Sequence, residues 1–265
     1  MTTDVFHTAD LALALSLADA ADQITLSRAG ATDLRVDRKP DRSPVTDADL
    51  AVEDAIRTVL AVQRPRDSVL GEERGGAVTA ADRRWLLDPI DGTKNFLRGV
   101  PVWATLIALV EHGEPVVGVI SAPALRRRWW AATGAGAHTR DASGTTRTIT
   151  VSAVSELADA YISTTHLGSW VKYRSRESYL SLVDATWENR AFGDFWQHCL
   201  VAEGAIDLAA EPVVNPWDVA AVQVLVEQAG GRFTDLDGLP RYDGGTALSS
   251  NGLLHDAALR YLQHP

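Results

Sequence analysis

Apolar residues recur at helical spacing along residues 4–28, where Leu11, Leu15, Ala18 and Ala21 share one stripe and acidic residues fill the other faces. That pattern predicts an amphipathic first helix. Residues 30–46 are polar and rich in Arg, Asp and Pro, which reads as a strand pair or a mobile loop. Helical periodicity returns over residues 48–62, with Val52, Ile56, Val59 and Leu60 on the inner face and Asp47 placed to cap the start. Short apolar runs follow. Residues 68–71 stop at Glu72 and Glu73, and residues 85–87 stop at Asp88. Residues 105–110 and 115–121 read as paired strands about a turn at Gly113, with residues 129–132 as a third member. Gly134-Ala135-Gly136 holds the first two glycines of a nucleotide fingerprint but lacks the third and the following helix, so it reads as a hairpin turn.

Residues 140–147 are rich in Gly, Ser and Thr and mark the expected boundary between two halves. Residues 1–145 would carry most of the candidate ligands, and residues 146–265 would carry Asp218 and a substrate pocket. A strand is expected near residues 160–163, with helices over 175–183, 195–205 and 216–229. Strands and helices alternate without an internal repeat, so the fold class is mixed α+β with helical layers against sheets.

Composition narrows the function. The 265 residues can bury a large core, and the formal net charge is −10. A nucleic-acid partner would call for a basic face, so none is expected. The same negative field repels a phosphorylated ligand unless cations stand between. The lone Cys199 excludes an intrachain disulfide and, like His198, lies on an apolar helix and reads as core. The eight tryptophans read mostly as core or dimer contact, with Trp170 and Trp196 able to face a ligand. Asp10, Asp19 and Asp22 interrupt the N-terminal Ala/Leu run, so neither a leader nor a membrane span is expected, and a cytoplasmic location follows.

The chemistry lies in where the acids fall. Glu72, Asp88, Asp91 and Asp218 end apolar strands or follow them closely, at positions where loops from a sheet edge can converge. Four such acids repel one another unless divalent cations neutralise them. An oxygen-only donor set favours Mg²⁺ or Mn²⁺, and the seven histidines show no zinc spacing. In Asp88-Pro89-Ile90-Asp91-Gly92-Thr93, Gly92 admits close backbone approach, and the segment opens a short helix whose first amides, at Gly92 and Thr93, would meet an anion. Cations on one side of a phosphate and amides on the other make a phosphoryl-transfer site. A glycosidase built on two carboxylates is the competing enzyme reading, but it leaves Gly92-Thr93 and the four separate acids without a role. A phosphate-binding protein that has lost catalysis is the non-enzyme alternative, and the complete acid set argues against it. Asp47 and Glu73 are read as solvated turn residues.

Four segments together resemble the inositol monophosphatase superfamily: Pro44-Val45-Thr46-Asp47-Ala48-Asp49, Gly71-Glu72-Glu73, Trp85-Leu86-Leu87-Asp88-Pro89-Ile90-Asp91-Gly92-Thr93-Lys94-Asn95-Phe96, and Asn215-Pro216-Trp217-Asp218-Val219-Ala220-Ala221. The resemblance implies a layered αβαβα sandwich of the inositol monophosphatase and fructose-1,6-bisphosphatase type. It implies one metal on Glu72, Asp88 and the Ile90 carbonyl, a second on Asp88, Asp91 and Asp218, and a weaker third near Glu72. It also implies Asp49 and Thr93 around the attacking water with Glu72 assisting, dependence on Mg²⁺, and a homodimer. Asp91-Gly92-Thr93-Lys94-Asn95-Phe96-Leu97-Arg98-Gly99 and Phe192-Gly193-Asp194-Phe195-Trp196 look most like the histidinol-phosphatase branch, with Asp194, Glu211 and Arg190 lining the alcohol pocket. A carboxylate pair suits a cationic alcohol. L-Histidinol phosphate is therefore the expected substrate, with inositol-1-phosphate as the alternative.

Overall fold

The computed structural model describes residues 4–40, 42–76 and 82–263. The chain opens with α1 (Asp4–Arg28), the hairpin β1 (Val36–Arg38) and β2 (Pro44–Thr46), and α2 (Asp47–Gln63). Next come β3 (Ser68–Gly71), β4 (Arg83–Asp91), α3 (Thr93–Arg98), β5 (Ala104–Glu111), β6 (Glu114–Ala122), β7 (Arg127–Ala132), β8 (Gly136–Arg140) and β9 (Thr146–Thr148). The remainder holds β10 (Tyr161–Ser163), α4 (Leu167–Tyr173), α5 (Arg176–Asp184), β11 (Glu188–Arg190), α6 (Asp194–Ala202), β12 (Leu208–Glu211), α7 (Pro216–Gln228), β13 (Arg232–Thr234), β14 (Ala247–Ser250) and α8 (His255–Gln263).

Strands β3 to β9 form one sheet in chain order, parallel only between β3 and β4. A second sheet has the order β11-β10-β12-β14-β13. Alternation along the strands sorts side chains to two faces. Trp85, Leu87, Ile107 and Leu109 pack on Leu13, Leu17, Val52 and Ile56 of α1 and α2. Leu86, Leu106, Ala108 and Val110 face Phe195 of α6 and Val222 and Leu225 of α7. Helix α7 is apolar on every side because it lies between the sheets, with Val219 to Val226 almost wholly buried. Its contact with β6 is close enough that a Cβ on Gly118 would stand 2.6 Å from the Ala221 carbonyl oxygen. Beyond the second sheet, Ile162, Leu208 and Leu248 pack on α4, α5 and α8. The result is the layered αβαβα sandwich.

Residues 140–147 hold the end of β8, the turn of the β8–β9 hairpin and the start of β9, and the first sheet runs to Thr148. The core beneath it takes side chains from both halves of the chain. The cap of α2 is Thr46 rather than Asp47: its side chain accepts the Ala48 and Asp49 amides, while Asp47 pairs with Arg28 at 2.9 Å. Strand β4 does not stop at Asp88. It continues to Asp91 through a bulge, because Pro89 has no amide to give the ladder.

Candidate active site

The bulge decides the direction of two acids. Asp88 faces Leu106 and Asp91 faces Ala104, so three steps on β4 match two on β5. In a regular strand Asp88 and Asp91 would point to opposite faces; with the bulge both take the face of Leu106 and Ala104, toward α6 and α7. Thr105 Oγ1 donates to the Pro89 carbonyl at 2.7 Å, and the Ile90 amide donates to Asp88 Oδ1 at 3.1 Å. The parallel pairing of Gly71 with Leu87 sets Glu72 beside Asp88, and the Glu72 amide donates to the Leu87 carbonyl.

Asp49 and Asp218 arrive on helices, each as the last residue of a four-residue capping box. Asp49 Oδ2 accepts the Thr46 amide at 2.8 Å and the Thr46 hydroxyl at 2.6 Å, whereas Oδ1 is buried with no partner among the described residues. The hydrogen bonds to Asp218 fall on Oδ2, from the Asn215 amide at 2.7 Å and its side-chain nitrogen at 3.3 Å. Gly92, with φ of +84°, turns the chain into α3, and a Cβ there would lie 2.9 Å from the Val102 carbonyl oxygen. Thr93 Oγ1 donates to the Ile90 carbonyl at 3.0 Å.

The electrostatics record crowding. Burial, then the charges of Glu72, Asp91 and Asp218, holds the Asp88 carboxyl well above its usual range. Burial, then Asp194 and Asp218, does the same for Asp91 against the opposing Phe195 amide. Asp218 is pushed up to about 7 by burial, with Glu72 and Asp194 adding to it and the Asn215 hydrogen bonds opposing. Asp49 rises to about 6, chiefly by burial. Carboxylates that raise one another in this way, with a carbonyl at Ile90 beside them, fit divalent cations with oxygen ligands. They are not closed around an ion as they stand: among the described residues, no three His, Cys, Asp or Glu side chains form a ready metal-binding group. One reason is visible at Glu72, whose carboxylate pairs with Lys39 Nζ at 2.7 Å.

Two adjoining cavities open over these residues. One, of about 240 Å³, is lined by Asp91, Asp194, Glu211 and Asp218; the other, of about 380 Å³, by Glu72, Gly92, Thr93 and Asn95. Lys94, Thr165, His166 and Asp194 line both, so the two are parts of one cleft. Asp49, Asp88 and Ile90 lie beneath it, nearly or wholly buried. Arg190 is not brought to the cleft. It sits on β11, at the edge of the second sheet, with more than half its side chain exposed and its guanidinium on Glu188 at 2.5 Å. Glu73 is not on a solvated turn: its side chain is 3% exposed and lies 2.8 Å from Lys39 Nζ. His198 is core, held by Ser249 at 2.8 Å and pushed down to about 3 by burial, although it also borders the smaller cavity. Trp170 is fully buried against Tyr179 and lines neither cavity of the cleft.

Sequence reasoning missed several supporting residues. Glu53 accepts the Glu73 amide at 2.8 Å and the Arg74 amide at 3.1 Å, which fixes the turn that carries Glu72. Its signal was the four-residue spacing from Asp49 on one helix face. Thr46 was signalled by its cap position. Lys39, Asn95 and Thr165 carried no signal of their own.

Five alternating layers, with buried acids gathered where the first sheet ends beside a glycine-opened helix start, define a protein of the phosphate-ester hydrolase class. The chain belongs to the inositol monophosphatase family, whose model matches residues 8–264. It is 56% identical over 253 residues to a histidinol-phosphatase of Mycobacterium tuberculosis, covering 96% of this chain and 97% of that one. It is 52% identical over 257 residues to a histidinol-phosphatase of Streptomyces coelicolor, covering 96% of each. Among solved structures, an inositol monophosphatase from Zymomonas mobilis superposes with a TM-score of 0.85 at 32% identity, covering 97% of this chain and 99% of that one. No helix among the described residues is long and apolar enough to cross a membrane.

Proposed function

We propose that this phosphatase hydrolyses L-histidinol phosphate to L-histidinol and inorganic phosphate, with Mg²⁺ as the activating ion and Mn²⁺ as a substitute. The high identity to two histidinol-phosphatases supports the substrate. The observation that carries it is Asp194, on the wall of the cleft with Glu211 and beside Asp91 and Asp218, a second acid suited to an amine or imidazolium where a neutral polyol needs only hydrogen bonding. Glu72, Asp88, Asp91, Asp218 and the Ile90 carbonyl would hold the ions, two or three to a site. Bound there, the ions supply the positive charge that offsets the acids and the phosphate. Asp49, through its unpartnered Oδ1, and Thr93 would orient the attacking water, assisted by Glu72. The amides of Gly92 and Thr93 would receive phosphate oxygens. The working unit would be a homodimer in the cytoplasm.

Phosphate release is measured on histidinol phosphate, inositol-1-phosphate, fructose-1,6-bisphosphate and a nucleotide 3'-phosphate, each with Mg²⁺ and after exhaustive chelation. The highest kcat/KM is expected on histidinol phosphate, with activity lost on chelation. A preference for inositol-1-phosphate would move the substrate to that reading, and full activity without metal would overturn the role of the acids.

A further inference from the structure

We infer that Thr165 is the positioning residue of the alcohol pocket, its hydroxyl joining Glu211 to Asp194 and fixing the direction of both; the inference rests on the reading that these acids meet a cationic alcohol. Thr165 stands just beyond the end of β10, Glu211 ends β12, and Asp194 opens α6. Thr165 Oγ1 donates to Glu211 Oε1 at 2.6 Å and the Thr165 amide donates to the same oxygen at 2.7 Å. Gln197 Nε2 also reaches Glu211 Oε1. The internal hydrogen bonds to Glu211 thus gather on one oxygen. The same Thr165 Oγ1 accepts the Asp194 amide at 2.8 Å.

Asp194 needs such a hold. Gly193 has φ of +78° and Asp194 has φ of +47°, so two successive residues have positive φ, and the second carries a side chain. L-residues disfavour that region and persist in it where their surroundings over-determine the backbone. Here the hold is a pair of hydroxyls at the end of β10: Ser163 Oγ accepts the Phe192 amide at 3.1 Å and Thr165 Oγ1 accepts that of Asp194. The methyl side of Thr165 lies against Gly193. Asn95 Nδ2 donates to Asp194 Oδ2 at 3.3 Å from the opposite wall. The N-cap of α6 is Gly193, which has no side chain, so the first amides of the helix are met from other elements, that of Asp194 by Thr165 and that of Phe195 by Asp91.

The test compares Thr165→Val, which keeps the shape and loses the hydroxyl's bonds to Glu211, Asp194 and Gln197, with Thr165→Ser, which keeps the hydroxyl. The readout is the ratio of kcat/KM for histidinol phosphate to that for p-nitrophenyl phosphate, with a melting curve alongside. Thr165→Val is expected to lower the ratio about tenfold through KM for histidinol phosphate, as misdirected pocket groups do, while Thr165→Ser keeps it within about threefold. An equal loss on both substrates, or a lost ratio in Thr165→Ser with a wild-type ratio in Thr165→Val, overturns the inference; if Thr165→Val fails to fold, Thr165→Ala takes its place. Asp194→Asn separates the two levels. A wild-type ratio in Asp194→Asn removes the reading of the acids, whereas a lowered ratio there with a wild-type ratio in Thr165→Val removes only the role of Thr165.

Discussion

Asp91 Oδ2 accepts the backbone amide of Phe195 at 2.7 Å, across 104 residues of chain. One carboxylate therefore ends a strand of the first sheet and satisfies a free amide in the first turn of α6, where the helix dipole favours negative charge. That bond opposes the burial and the neighbouring charges that raise Asp91. The residue is both a candidate ligand and a clamp between two layers.

Its two roles separate by substitution. Asp91→Asn keeps an acceptor for the Phe195 amide and removes a charge that Asp194 and Asp218 repel. Turnover should fall by about a hundredfold or more, as loss of a metal-clamp ligand implies, while the metal-free variant melts at or above wild type at pH 8. Asp91→Ala also drops the amide partner and should melt below Asp91→Asn, by about 1 kcal/mol of stability. Melting curves in chelator with parallel phosphate-release assays check both, and an unstable Asp91→Asn would contradict the assignment.

Stability of the metal-free protein should fall as pH rises. In the folded state Asp49 is raised to about 6, Glu211 and Asp218 to about 7, each chiefly by burial, and Asp88 and Asp91 also stand well above the usual range. Unfolded carboxyls titrate near 4. Between about pH 4 and 7 these carboxyls bind more protons in the folded state than in the unfolded state. They outnumber the buried His198 and His255, lowered to about 3 and about 4, which act in the opposite sense, so the derivative of unfolding free energy with pH is negative. The contribution is whole below about pH 4 and is lost as pH rises through the folded values. Melting temperatures in chelator should therefore drop from pH 5 to pH 8, and saturating Mg²⁺ should restore much of the loss at pH 8. Glu211→Gln should make the slope shallower. A melting temperature that climbs over this range would contradict the crowding of the acids.

Lys39 should set the metal requirement. Its ammonium lies 2.7 Å from Glu72 and 2.8 Å from Glu73; burial works against its charge, and these two partners outweigh burial and raise its pKa. A cation seated on Glu72 competes with any ion that uses the same oxygens. Lys39→Met should lower the Mg²⁺ concentration giving half-maximal activity, by a few-fold to about tenfold, the range of one charge-assisted contact. A Mg²⁺ titration at saturating substrate measures the shift, and an unchanged or higher half-point would count against competition.

Gly92→Ala should be severe. The substitution meets a left-handed φ of +84° and a carbonyl oxygen 2.9 Å from the new Cβ. Strain at such a position is about 1–3 kcal/mol, and the displaced turn carries Thr93 and Asp91. Loss of turnover with a lower melting temperature is expected. A variant of wild-type activity would mean that this turn does not hold the site.

The sequence by itself determined what depends on residues within a turn of one another. The spacing of Val52, Ile56, Val59 and Leu60 set α2, and the boxes Thr46-Asp47-Ala48-Asp49 and Asn215-Pro216-Trp217-Asp218 set how two acids are held at helix starts, through hydrogen bonds spanning three residues. The order of the acids was legible in the same way, and the family through the motifs that carry them; the layered fold followed from that resemblance. Tertiary structure decided which acids share a face and what they meet. The bulge at Pro89-Ile90 turned Asp88 and Asp91 to one side, parallel pairing brought Glu72 to Asp88, and α7, buried between two sheets, delivered Asp218. It also put Lys39 on Glu72, buried Glu73, left Arg190 on an exposed edge strand and tied Thr165 to both pocket acids. No local pattern encodes these, because burial and charge at each carboxylate are sums over elements that lie far apart in the chain and come together only when the layers pack.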